Sequence, residues 1–179
     1  MNFFTPKNHF HILETLVLPQ LAYKPEINIW SAACSNGVEP YAISMFLMNR
    51  HPNVKIIASD SSQAMLKLAI LGVYDEKAVS GVPTDQLQHC FRKGVGDASG
   101  QYRVHDFLRQ SVQFYQHDLL NPFVVPVRFD IIFCQHILGQ ANEREKERVE
   151  NNLLRVLKPG GFLFLGTGES LFHEVGTQV

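Results

Sequence analysis

The chain has 179 residues, of which 45% are hydrophobic and 18% are charged, and its formal net charge is −1. A chain of this length and composition is expected to fold as one globular domain, and its nearly neutral charge disfavours a nucleic-acid partner. It has no basic-then-apolar leader, no apolar run of about 20 residues and no paired cysteine motif, so we predict a reduced cytoplasmic protein without signal peptide, membrane insertion or metal site.

Five short apolar runs predict the strands of one sheet, because each is rich in β-branched or aromatic residues. Most of them are nearly continuous rather than alternating, which is typical of strands covered on both faces. Strands that alternate with helices indicate an α/β fold with a mostly parallel sheet and right-handed crossovers. In chain order the runs are INIWSAAC, VKIIASD, VQFYQHD, FDIIFCQ and FLFLGTG.

Helical patterns lie between several of these runs and support the same architecture. Residues 39–50, 62–71 and 143–157 are the predicted helices. The first tolerates its proline because that residue falls in the first turn, where no backbone donor is needed. Gly72 is a stop signal for the second helix, and the motif KPGG ends the third.

The middle of the chain breaks the alternation of strand and helix. After a short helix that begins near residue 84, the motif GDASG predicts a turn between two strand-like arms. We therefore expect a small antiparallel hairpin insertion near residues 91–105. The predicted organisation is a helical lead-in over residues 1–25, followed by a domain over residues 26–179 that contains this hairpin.

The turn after the first strand, SAACSNGVE, is the first candidate for a ligand site. In open parallel sheets, ligands bind beyond the carboxyl ends of the strands. This turn contains only Gly37, so it is neither a dinucleotide fingerprint nor a phosphate-binding loop. Its small side chains would let a ligand lie against the backbone, and Glu39 could hold an ammonium group.

Acidic residues also follow the next two strands. Asp60 ends the second strand 23 residues after Gly37, close to the offset at which an acid accepts hydrogen bonds from ribose. Asp118 follows the third strand and could accept a hydrogen bond from the amine of a base. Acceptors for an amine, a ribose and a base, without a phosphate cradle, describe S-adenosylmethionine. The alternative is that both aspartates are ordinary turn or cap residues.

The successive motifs resemble one known family. IWSAACSNGVEPYAIS, IIASDSSQAMLKLAILGVY, VQFYQHDLL, FDIIFCQHIL and VLKPGGFLFLGTGESL are similar, in the same order, to the motifs of the CheR-type chemotaxis receptor methyltransferases. The resemblance runs from Ile29 to Leu171 and is to the catalytic domain only. It implies a Rossmann-like class I methyltransferase sheet of order 3-2-1-4-5, S-adenosylmethionine as cofactor, and methyl esterification of glutamate side chains on a receptor-like protein.

The resemblance also implies which residues contact the cofactor. The hairpin around Gly96 and Gly100 resembles the small β-subdomain of the family, which can dock on receptor tails. No residue of this sequence is assigned a catalytic role. With the small-residue turn included, the candidate cofactor-binding residues are Ala33, Glu39, Asp60, Asp118, Leu119, Cys134 and Gln135.

Departures from the family pattern fall mostly on the substrate side. Thr5 and Gln135 stand where the family has arginine, Val38 where it has an acid, His136 where it has asparagine, and Gln140 where it has the active-site tyrosine. Two alternatives therefore stay open: a weak or inactive relative that binds cofactor or a partner, and a methyltransferase with a different acceptor. The sequence shows no counterpart of the family's final strand, so we expect an open sheet edge and possible homo-oligomers.

Overall fold

The apolar runs form the strands of a parallel central sheet in the computed structural model, which describes residues 2–171. The strands are β1 Ile27–Ala32, β2 Val54–Asp60, β3 Val73–Asp75, β4 Phe91–Lys93, β5 Gln101–Val104, β6 Val112–Gln116, β7 Phe129–Cys134 and β8 Leu157–Leu165. The central sheet has the order β6-β2-β1-β7-β8, and all four pairings are parallel. The predicted order 3-2-1-4-5 is confirmed.

Helices cover both faces of this sheet. They are α1 Lys7–Ile12, α2 Leu18–Leu21, α3 Val38–Leu47, α4 Gln63–Leu71, α5 Glu76–Val79, α6 Thr84–Cys90, α7 Asp106–Gln110 and α8 Glu143–Val156, with a π-helical turn Leu13–Val17 between α1 and α2 and a 3₁₀ turn Gly96–Ala98. Every residue of β1 and β7 is buried. Along β1, Ile29 joins the core that includes α3, whereas Trp30 joins the core that includes α8. This two-sided burial explains why the runs are continuously apolar.

A second sheet contains the predicted hairpin. Strands β4 and β5 pair antiparallel, with Phe91 opposite Val104, and β3 pairs with the other edge of β5. The sequence analysis missed β3 because this strand has three residues and follows Gly72, the left-handed C-cap of α4, directly. Phe3 packs edge-on against Tyr74 and Phe91, at 5.1 and 5.2 Å between ring centroids, so the chain before α1 contacts this sheet.

The motif KPGG lies inside a strand rather than between a helix and a strand. Helix α8 ends at Val156, and β8 begins at the next residue. The pairing with β7 shifts register inside this segment, since Leu157 lies opposite Phe129 but Phe162 lies opposite Ile131. A Cβ at Gly161 would lie 2.9 Å from the carbonyl oxygen of Lys158, so this bulge requires a residue without a side chain. The predicted boundary between 1–25 and 26–179 stays a prediction, and residues 172–179 lie outside the described range.

Candidate ligand site at the carboxyl edge of the sheet

The turn between β1 and α3 concentrates unfavourable backbone conformations. Ala33, Ser35 and Gly37 all have positive φ, at 58°, 50° and 86°. For a residue with a side chain, this conformation costs roughly 1–2 kcal/mol. The turn is held by the Cys34 N–H, which donates to the carbonyl of Ser59 at 2.8 Å, and by the Ser35 N–H, which donates to Asp60. Such strain clusters at ligand sites, and here it lies at the carboxyl edge of the sheet.

Glu39 is a buried carboxylate in the first turn of α3. Ser31 Oγ, at the end of β1, donates a hydrogen bond to it at 2.6 Å, and Nε2 of Gln135, just after β7, donates another. Burial raises the pKa of Glu39 to about 7, although both hydrogen bonds lower it. None of the ion pairs in the described part of the chain includes this residue. Glu39 is therefore a buried acid to which the described residues supply no cationic partner.

Gln135 adds a second acceptor beside this carboxylate. Its side chain is only 8% exposed, and among residues 2–171 its Oε1 has no hydrogen-bond partner. Leaving a buried acceptor unpaired costs roughly 1–3 kcal/mol, so a bound donor would be favoured there. A primary ammonium group has three donors and suits a site with a carboxylate and a free amide oxygen. The residues present thus fit the amino group of S-adenosylmethionine.

Asp60 and Asp118 both make the bonds of turn residues. The carboxylate of Asp60 accepts from the backbone N–H of Ser35 at 2.8 Å and of Ser62 at 2.9 Å. Asp118 is exposed and accepts from the N–H of Leu120 at 3.0 Å. A carboxylate has about four acceptor positions, so these bonds leave capacity for ribose or a base. Both side chains therefore act as ordinary turn residues within the protein, and their role toward a ligand stays a prediction.

A cavity of about 270 Å³ lies beside these residues. His117 lines it, and its ring stacks on Phe123 at 4.5 Å between centroids. Within the described residues, Nε2 of His117 is buried without a partner, and burial lowers the pKa of this histidine. The cavity is therefore lined by an aromatic ring together with apolar and polar side chains, a combination that suits a base. Its other lining residues include Ala33, Ser61, Asp118, Leu119, Ile137 and Gln140.

The seven candidate residues thus fall into separate groups. Ala33, Asp118 and Leu119 line the cavity, whereas Glu39 and Gln135 form a hydrogen-bonded pair that does not line it. Asp60 fixes that turn. Cys134 is fully buried at the end of β7, and burial, with the nearby charges of Glu169 and Glu39, raises its pKa to about 12. Its thiol stays protonated and does not line the cavity.

Two residues at this edge were missed by the sequence analysis. The carboxylate of Glu169, four residues after β8, accepts hydrogen bonds from the backbone N–H groups of His136, Gly139 and Gly166. His9, in α1, lies with its ring 5.4 Å from that of Phe164, and burial and the charge of His136 lower its pKa. The rule that functional residues follow strand ends would have indicated Glu169, whereas nothing in the sequence points to His9.

Two absences within the described residues bear on the kind of site. Across residues 2–171, no group of three or more histidine, cysteine, aspartate or glutamate side chains could hold a metal ion. Over the same residues, no helix has both the length and the apolar character needed to cross a membrane.

The parallel sheet of order β6-β2-β1-β7-β8, with its candidate site at the carboxyl edge, is a Rossmann-like methyltransferase fold. Similar solved structures include the glycopeptide N-methyltransferase MtfA complexed with sinefungin (TM-score 0.53, 14% identity, 90% of this chain and 49% of that chain). Another is DesVI of Streptomyces venezuelae (TM-score 0.51, 12% identity, 88% of this chain and 49% of that chain). At these identities the likeness shows the fold alone.

Sequence comparison then gives the family. The family described as "CheR methyltransferase, SAM binding domain" matches residues 1–178, and the chain belongs to it. A chemotaxis protein methyltransferase of Vibrio parahaemolyticus is 36% identical over 170 residues, which are 90% of this chain and 61% of the relative. Chemotaxis protein methyltransferase 2 of Pseudomonas aeruginosa is 34% identical over 176 residues, 96% of this chain and 63% of the relative. The predicted family is confirmed, and the chain spans 61 to 63% of the length of these relatives.

Proposed function

We propose that this chain is the catalytic domain of a cytoplasmic, S-adenosylmethionine-dependent methyltransferase that esterifies glutamate side chains on a chemoreceptor-like protein. The family membership supports the reaction class and the cofactor. The names of the curated relatives, chemotaxis protein methyltransferases, support the kind of acceptor. Whether the protein forms homo-oligomers stays a prediction.

The observation that carries this proposal is the pair formed by Glu39 and Gln135. A buried carboxylate without a cationic partner, next to a buried amide oxygen without a donor, matches the amino group of the cofactor. We assign Asp60 to the ribose hydroxyls, and Asp118 and Leu119 to the base beside the cavity. When bound, S-adenosylmethionine supplies an electrophilic methyl group on a sulfonium centre. Ala33 and Cys134 shape the backbone at the ends of β1 and β7.

This chemistry makes modest demands on the remaining side chains. A glutamate acceptor has a reference pKa of about 4.3, so it is already an anion at neutral pH and needs no general base. The protein has to align two oppositely charged groups and exclude water, and alignment alone can contribute roughly 7–11 kcal/mol. Gln140, which replaces the family tyrosine, would therefore change positioning without removing a proton-transfer group.

The hairpin is the proposed contact with the protein acceptor. Arg92 of β4 lies directly opposite Arg103 of β5, and both side chains are exposed, as is Lys93. Like charges in directly opposed positions destabilise a sheet. Asp106 offsets part of that repulsion through its ion pair with Arg92 at 3.8 Å, and an acidic segment bound along this hairpin would relieve the rest, which fits a receptor tail that carries carboxylates.

A methyl-transfer assay tests the proposal. The chain is incubated with methyl-labelled S-adenosylmethionine and the cytoplasmic fragment of a chemoreceptor, and the expected result is label in the fragment that mild base releases as methanol. A fragment whose acceptor glutamates are changed to alanine is the matched control and stays unlabelled. Label that resists base would show that the methyl group is not on a carboxylate and that the acceptor is a different group. Tight cofactor binding without any transfer would show that the chain is an inactive relative.

A further inference from the structure

Glu169 makes more backbone contacts than a solvated carboxylate would. Its Oε2 accepts from the N–H of His136 at 2.9 Å and of Gly166 at 2.7 Å, and its Oε1 accepts from the N–H of Gly139 at 2.8 Å. One side chain therefore joins the segment after β7 to the segment after β8.

The segment that Glu169 holds is the one that separates the two halves of the candidate site. Gln135, at its start, bonds to Glu39, whereas Ile137 and Gln140 line the cavity. The peptide between Gln135 and His136 is planar, so fixing the His136 N–H also fixes the carbonyl of Gln135. The Nε2 group of Gln140 donates to the carbonyl of His136 at 2.9 Å and closes the same turn.

Backbone conformation shows that this turn needs an external support. His136 has a φ of 61°, in the left-handed region that a residue with a side chain avoids. The surroundings are shaped for the carboxylate, because a Cβ at Gly166 would lie 2.5 Å from Oε2 of Glu169 and 2.8 Å from the backbone nitrogen of His136. Glu169 does not itself line the cavity, so any effect on a ligand acts through the turn.

We propose that Glu169 is a positioning residue for cofactor binding: it locks the turn over residues 136–139 and thereby sets both Gln135 and the cavity wall for S-adenosylmethionine. This inference rests on the proposed function, because the ligand is the cofactor assigned there. The role is geometric, since three N–H groups at fixed places need both oxygens of a side chain of glutamate length.

Calorimetric titration of the full chain with S-adenosylmethionine tests this role, together with amide hydrogen exchange of the ligand-free protein. We expect Glu169→Gln to weaken binding about tenfold, by analogy with groups that orient metal-binding side chains, because an amide offers one acceptor oxygen instead of two. Glu169→Asp keeps the charge but is too short, so it should weaken binding by a similar factor. The amides of His136, Gly139 and Gly166 should exchange faster in both variants.

A matched control changes a carboxylate that accepts a backbone N–H elsewhere. Asp75 accepts from the N–H of Ala78 at 2.8 Å at the start of α5, and Asp75→Asn should leave the affinity within about twofold, since asparagine is an equally good cap. If Glu169→Gln does not fold, Gly166→Ala provides the second test, because its methyl group displaces the carboxylate without removing the charge.

Several results would overturn the inference. Two are an unchanged affinity for S-adenosylmethionine in folded Glu169→Gln and in Gly166→Ala. The third is full affinity in Glu169→Asp, because the charge alone, and not the length of the side chain, would then support binding. A loss of thermal stability without a loss of affinity would reduce Glu169 to a structural residue. If the unmodified chain does not bind S-adenosylmethionine, the proposed function fails, and the exchange of the three amides still decides whether Glu169 holds the turn.

Discussion

The two edges of the central sheet each contain a buried carboxylate, and the two are treated in opposite ways. At the amino edge, Asp130 of β7 is fully buried, and it forms ion pairs with Lys24 at 2.5 Å and Lys158 at 2.7 Å. It also accepts from the N–H of Asn28 at 2.9 Å. At the carboxyl edge, Glu39 has hydrogen bonds from neutral side chains only.

The difference appears in the acidity of the two groups. Burial acts to raise the pKa of Asp130, but the Asn28 N–H and the two lysines outweigh it and hold the pKa below its usual value. Burial raises the pKa of Glu39 to about 7 because no cation opposes it. A buried carboxylate that the chain neutralises supports the fold, whereas one that the chain leaves without a cation marks where a cationic ligand is expected.

The largest expected effect is on ligand binding by Glu39→Gln. Removing one partner of a buried charge pair costs roughly 2–5 kcal/mol, so the affinity for S-adenosylmethionine should fall by a factor of about 30 or more. The unfolding temperature of the ligand-free protein should change little, because the loss of one acceptor oxygen is offset by removing a carboxylate that is unfavourable when ionised in its buried position. Calorimetry and thermal unfolding measure the two quantities. An affinity within twofold of that of the unmodified chain would contradict the assignment of Glu39 to a cationic ligand.

The corresponding change at the amino edge is Asp130→Asn, which should lower the stability of the fold rather than the affinity for the cofactor. It leaves Lys24 and Lys158 without their counter-charge, and because these side chains are 40% and 31% exposed, we expect about 2–3 kcal/mol, below the 3–5 of a fully buried pair. Chemical denaturation measures the loss. Glu26→Gln, which breaks the surface pair with Lys55, is the control and should cause no measurable change. Equal losses of unfolding free energy in both variants would contradict the assignment of Asp130 as the carboxylate that supports the fold.

The smallest effect concerns pH. Because the pKa of Glu39 in the free protein is about 7, its carboxylate is mostly protonated at pH 6, and the affinity for S-adenosylmethionine should be roughly tenfold weaker there than at pH 7.5. The affinity rises with pH because the ammonium group binds the ionised form. Ser31→Ala removes a hydrogen bond that lowers this pKa, so the midpoint should move upward. A flat profile in both proteins would place the titration elsewhere.

Much of the fold could be predicted from local patterns. The continuous apolar runs of β1 and β7 gave the parallel sheet, because strands covered on both faces have no polar side to alternate with. The third strand of the small sheet, β3, could not be predicted, since three residues carry no periodicity. The start of β8 depends on a register shift against β7, which is a tertiary feature.

The candidate site could be predicted only in part, and for a related reason. Asp60 lies at a strand end and Glu39 follows the turn after β1, where topology alone indicates a ligand, and the family motif added Gln135. The contacts of Glu169 are with backbone N–H groups up to 33 residues earlier in the chain, and a backbone partner has no identity in the sequence. The unpaired Oε1 of Gln135 likewise depends on burial and on side-chain orientation, which the sequence does not specify.

The ion pair between Lys24 and Asp130 has a practical consequence for trimming the chain. Lys24 precedes β1 and falls within the predicted lead-in, yet it neutralises a buried carboxylate at the amino edge of the sheet. A shortened version that began at residue 26 would remove one of the two cations around Asp130, and with it the aromatic contacts of Phe3. Any cloning boundary intended to isolate the cofactor-binding portion should therefore lie upstream of these residues, so that the excised fragment keeps its charge balance.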